Sequence, residues 1–65
     1  MEPTHALKDA EKAISLDPKF VKGWIRKGIC HQMTKEYHKA LKAFEEGLKI
    51  DPDNNDCKEN LYKTR

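Results

Sequence analysis

Sixty-five residues suffice for one small domain, and a chain of that length buries only about 60% of the surface its unfolded form exposes. Hydrophobic and charged residues each make up 37% of the chain, a balance suited to amphipathic helices rather than to disorder, and no apolar run approaches the ~18 residues a membrane-spanning helix needs. A net charge of +2 is too slight a bias to imply nucleic acid by itself, and two cysteines, Cys30 and Cys57, lack the density of a secreted disulfide scaffold, so a reduced, cytoplasmic setting is the expectation.

The first residues carry no basic region followed by an apolar core, so no signal peptide is expected. Pro3-Thr4 reads as a helix start. Ala6, Leu7, Ala10, Ala13 and Ile14 recur at spacings of three and four, the period of an amphipathic helix running from Thr4 to Leu16. Leu16-Asp17-Pro18 ends it, because a residue before proline is pushed out of the helical region. A second helix opens at Lys19 or Phe20 and runs to about Met33. Thr34-Lys35-Glu36 is a short turn. A third helix, Tyr37 to Ile50, has the apolar set Tyr37, Ala40, Leu41, Ala43, Phe44 and Leu48, and stops at Ile50-Asp51-Pro52. Asp53-Asn54-Asn55-Asp56 offers N-cap candidates for a last helix carrying Cys57 and Leu61, from about Asn55 to Lys63. No segment alternates with period two. The expected class is all-α: about four helices, joined by turns so short that neighbours must pack antiparallel.

The chain is organised around Lys22-Gly23-Trp24-Ile25-Arg26-Lys27-Gly28. On a helix, Trp24 and Gly28 stack one turn apart on one side, and Lys22 and Arg26 stack on another. The first side is expected to pack and to be buried with Ala40 and Phe44. The second is expected to be exposed, with Ile29 and Met33 continuing it as an apolar shelf. From Pro18 to Lys35, both included, there are five basic residues and no acidic one. From charge alone, a solvated helix face is the default reading of Lys22 and Arg26.

Ala6 to Pro18 echoes Ala40 to Pro52 at an offset of 34 residues. That period, with Trp24, Gly28, Ala40, Phe44 and Pro52 at the signature positions, resembles the tetratricopeptide repeat. The resemblance implies antiparallel helix hairpins stacked into a superhelix. On it, residues 1–18 hold the second helix of an incomplete repeat, 19–52 a complete repeat and 53–65 a capping helix, less than a usual three-repeat domain. Lys27 and His31 depart from the signature, which has Leu and Tyr there. Gly47 stands where Ala is common, at a cost in helix propensity of about 1 kcal/mol.

Within that family, Asp17-Pro18-Lys19-Phe20 followed by Lys22 to Gly28 is similar to the third repeat of the peptide-binding domains of stress-inducible Hsp-organising co-chaperones. It is less closely similar to repeats of related co-chaperones and of a repeat-containing protein phosphatase. The resemblance implies that Lys22 and Arg26 belong to a carboxylate clamp for the Glu-Glu-Val-Asp tails of heat-shock chaperones, its other members lying in repeats that this chain does not contain. Arg grips a carboxylate through two parallel hydrogen bonds and Lys adds a point charge.

Cys30-His31 does not make a metal site, since adjacent helix residues point about a hundred degrees apart. Cys30 and His31 are expected to be packed, His5 and His38 exposed, and Cys57 a small hydrophobe under the last helix. No nucleophile–base set or paired carboxylates converge, so neither an enzyme nor a cofactor is expected. The basic patch lacks the interleaved aromatics of a nucleic-acid binder. The expected partners are chaperone C-terminal peptides, not nucleic acid or membrane. A small-residue face formed by Ala6, Ala10 and Ala13 is expected to stay open and to favour self-association.

Overall fold

The computed structural model describes residues 3–64, so Met1, Glu2 and Arg65, at the outer edges of the expected units, lie outside the described residues. Four helices follow one another: α1 (Pro3–Leu16), α2 (Val21–Met33), α3 (Tyr37–Ile50) and α4 (Asn55–Thr64). There is no strand among the described residues. The helices form antiparallel hairpins. α2 packs on α1 and on α3, and α4 packs on α3 and, less extensively, on α2. The backbones of α1 and α3 stay apart among the described residues, so α2 bridges them.

The two Asp-Pro turns are built alike. In the first, the Phe20 N–H donates to the Asp17 carbonyl at 3.0 Å; in the second, the Asn54 N–H donates to the Asp51 carbonyl at 3.1 Å. The sequence echo is thus an echo of backbone hydrogen bonding. Asn54 then caps α4, its side-chain oxygen accepting from the Cys57 N–H at 2.9 Å. The turn between α2 and α3 is a Schellman closure. Glu36 N–H donates to the His31 carbonyl at 2.8 Å and Lys35 N–H to the Gln32 carbonyl at 3.0 Å. Lys35 holds the left-handed position of that motif, with φ 62°.

The core lies where α3 and α4 meet α2. Ala40, Phe44, Cys57 and Leu61 are buried, with Ile25, Leu41 and Leu48 packed around them. The Phe44 ring lies against the α carbon of Gly28, in space that any Cβ there would take. This is the close approach that the signature glycine permits. Gly23 plays the same part toward α1, where a Cβ would meet Ile14 at 3.1 Å.

Three expectations of burial need correction. Trp24 is half-buried rather than buried, because its ring edge serves the α1–α2 turn at the surface. Tyr37, counted in the apolar set of α3, is the first residue of that helix and is 50% exposed. Ala10, assigned to an open face of α1, is only 3% exposed; the Cβ position of Gly23 lies 3.7 Å from its carbonyl oxygen, so α2 already covers it.

Candidate functional site

Two stripes run along opposite sides of α2. At 100° per residue, Trp24, Lys27 and His31 share one side, while Arg26, Ile29 and Met33 share the other.

The second stripe holds the residues singled out as a binding face. Lys22 and Arg26 are exposed, one turn apart, and neither forms an ion pair among the described residues. Arg26 lines a recess of about 360 Å³ between α1 and α2, together with Ile29, Cys30 and Met33 from its own helix and Ala6 and Asp9 from α1. Ile29 and Met33 are 36% and 55% exposed, an apolar shelf beside the guanidinium. Lys22 stands outside this recess, a turn closer to Pro18. Asp9 is the one carboxylate lining the recess among the described residues.

The first stripe is more built. The Trp24 indole N–H donates to the Pro18 carbonyl at 2.9 Å, which ties the start of α2 to the turn before it. Lys27 Nζ lies over the Trp24 ring, 5.3 Å from its centroid, a cation–π distance. His31 is 6% exposed, and its Nδ1 has no hydrogen-bond partner among the described residues; Glu36 Oε1 is 3.6 Å away. These three residues floor a groove of about 570 Å³ between α1 and α3. Leu7 and Glu11 form one wall, and Lys39, Lys42 and Glu46 stand on the other. The sequence marks Lys27 and His31 as departures from the repeat signature, but their shared groove escaped the sequence reading. The spacing 24, 27, 31 is the signal that could have found it.

At the end of α2, Glu36 accepts from Lys39 Nζ at 2.7 Å and from the Thr34 hydroxyl at 3.0 Å. The lysine, then the hydroxyl, holds the Glu36 carboxyl below the usual carboxylate range. Burial pushes both thiols, Cys30 and Cys57, above theirs. The Cys57 thiol donates to the Phe44 carbonyl at 3.2 Å, the place of a packed hydrophobe rather than of a nucleophile. Among the described residues no group of His, Cys, Asp or Glu is arranged to hold a metal ion, and no helix is long and apolar enough to cross a membrane.

Known proteins share this stretch. The chain is 49% identical over 57 residues, 88% of its length, to "Hsp70-Hsp90 organizing protein" of Triticum aestivum, and 58% identical over 48 residues, 74% of its length, to "Hsp70-Hsp90 organizing protein 3" of Arabidopsis thaliana. It is 44% identical over 57 residues, 88% of its length, to "U-box domain-containing protein 70" of Oryza sativa subsp. japonica. These matches span 10%, 9% and 7% of the respective relatives, so the chain corresponds to a tenth or less of each. Residues 21–54 match the sequence model of the family described as "Tetratricopeptide repeat", starting at the first residue of α2 and closing just past the second Asp-Pro turn. With the 34-residue echo, the paired turns and the Gly28–Phe44 contact, that match shows that the chain belongs to the tetratricopeptide repeat family.

Proposed function

We propose that this chain is a protein-interaction segment of a co-chaperone, in which Lys22 and Arg26 contribute part of a carboxylate clamp for acidic C-terminal tails of the Glu-Glu-Val-Asp type. The observation that carries the reading is the state of the two cations. They are exposed, one turn apart and free of ion pairs among the described residues, and Arg26 borders the shelf of Ile29 and Met33. A carboxylate pair placed there takes the guanidinium and the ammonium, and an aliphatic side chain between acidic residues takes the shelf. Likeness to the two organizing proteins supports the same reading. On it, residues 19–52 act as the complete repeat, flanked by a helix of a preceding repeat and by a capping helix. The setting is cytoplasmic, and no catalysis or cofactor is involved.

The test is a binding titration with the full polypeptide that carries this segment. Charge-assisted hydrogen bonds contribute ~1.5–3 kcal/mol each, so Arg26→Ala should weaken a peptide ending in Glu-Glu-Val-Asp roughly ten- to hundredfold. Amidating the peptide's terminal carboxyl should weaken wild-type binding more than it weakens the variant. Equal binding of both peptides, with no effect of Arg26→Ala, sinks the clamp. Likeness to the rice U-box protein favours a second reading, in which the module serves another scaffold; indifference to the free carboxylate is the outcome that selects it. Self-association of this chain, through the half-exposed Ala6 and Ala13 of the small-residue face of α1, is a further reading. Light scattering at rising concentration tests that, and a persistent monomer refutes it.

A further inference from the structure

We propose that the groove between α1 and α3, on the side of α2 opposite Arg26, is a second docking surface, and that its occupant is an internal acidic stretch of a partner protein.

Two positions of α2 depart from the repeat signature. Where the pattern has Leu and Tyr, this chain has Lys27 and His31, and both lie on the floor of the same groove. Substitutions that exchange an aliphatic and a phenol for an ammonium and an imidazole place a cation and a polar ring on that floor. The α3 wall adds Lys39 and Lys42.

Not all of this charge is available. Lys39 is engaged by Glu36 at 2.7 Å, and Glu46 by Lys49 at 3.1 Å. Lys27 and Lys42 have no carboxylate within ion-pair distance among the described residues, and the one acid left opposite them is Glu11. Lys42, and Lys27 held only over the Trp24 ring, face one carboxylate and leave a surface complementary to an acidic chain.

The floor has features of a site as well as a field. His31 is buried in the floor, its Nδ1 lying 3.6 Å from Glu36 Oε1, and Trp24 presents a ring that already stacks under Lys27. Leu7 and Ala43 provide apolar wall. An extended segment with two or three acidic residues around one apolar side chain fits this lining, with carboxylates on Lys27 and Lys42 and the apolar group against Leu7 and the Trp24 edge. The surface needs no chain terminus, which distinguishes it from the Arg26 face.

Trp24 is the sole tryptophan of the chain and lies in the groove, so its fluorescence reports occupancy. The probe is an acetylated, amidated peptide of six glutamates with a central leucine, which offers no terminal carboxylate. At low salt it should perturb Trp24 emission saturably, and the effect should fade as salt screens the contacts. Exposed Lys42→Glu alone should weaken binding several-fold, and Lys27→Glu with Lys42→Glu about tenfold or more, through like-charge repulsion. Arg26→Ala should leave it unchanged. Circular dichroism of each variant confirms folding, and Lys42, exposed on α3, supplies the variant whose fold is least at risk. No saturable change with the peptide overturns the proposal. So does weakening by Arg26→Ala with none by Lys42→Glu, and so does tighter, sequence-independent binding of a single-stranded oligonucleotide, which would make the groove a nucleic-acid surface.

Discussion

The Cys57 sulfur occupies the space beside Gly47 so closely that a Cβ on that glycine would sit 2.6 Å from it. The glycine on α3 and the thiol on α4 are therefore one packing unit, and Cys57 is fully buried in it. Read on its own, Gly47 costs helix propensity. Read with Cys57, it is what allows α4 to seat on α3. Gly47→Ala should therefore lower stability despite its better propensity, by about 1–3 kcal/mol as overpacking usually does. In a Cys57→Ala background the same substitution should cost much less, because the sulfur is gone. Urea denaturation of the four chains of this double-mutant cycle measures the coupling. Additive effects would show that the two sites are independent.

Lys35 holds a left-handed backbone conformation, φ 62°, at the Schellman position that glycine most often fills. A side chain there costs roughly 1–2 kcal/mol, partly offset by the extra freedom glycine has when unfolded. Lys35→Gly should raise stability by about 1 kcal/mol net, read as a higher thermal midpoint. An unchanged or lower midpoint would mean that the turn carries no such strain.

Glu36 should shape the acid limb of the stability curve. Its carboxyl is held below its ordinary value of 4.5, first by the Lys39 hydrogen bond and then by Thr34. A carboxyl with a depressed folded-state pKa binds a proton less readily folded than unfolded. Its contribution is therefore fully present above the unfolded pKa and is lost as the pH falls through the folded one. Glu36→Gln should flatten the loss of stability as the pH drops below about 4.5 and leave the neutral-to-alkaline range without an added slope. Denaturant midpoints from pH ~3 to ~7 decide it; parallel curves for the two chains would rule the contribution out.

Cys30 and Cys57 should resist alkylation in the native chain. Both are buried and both thiols are pushed above their ordinary value of 9.0 by that burial, so the reactive thiolate is scarce at neutral pH. Iodoacetamide at pH ~7.5 should label both rapidly in urea and slowly without it, followed by mass spectrometry. Equal rates in the two conditions would mean that the core opens freely.

What the sequence by itself determined was local and periodic. The spacing of Ala40, Leu41, Phe44 and Leu48 defines α3, the two Asp-Pro pairs punctuate α1 and α3, and the 34-residue echo names the repeat. Each of these signals depends on residues within a turn or two of one another, or on a repeat that can be read by eye. The exposure of Lys22 and Arg26 also follows from register, since an α2 that buries Gly28 against Phe44 turns those two outward. Only the tertiary structure decided contacts between helices. It set Trp24 at the rim, bonded to Pro18, rather than in the core; it gave Ala10 to α2; and it turned Gly47 from a weak helix former into the partner of Cys57. It also brought Lys27 and His31 into one groove with Lys39 and Lys42, polar side chains from two helices whose distance in sequence says nothing of that groove. The reason is physical: periodicity reports which face of a helix is apolar, whereas the depth of burial and the neighbour met there depend on how closely a second backbone approaches.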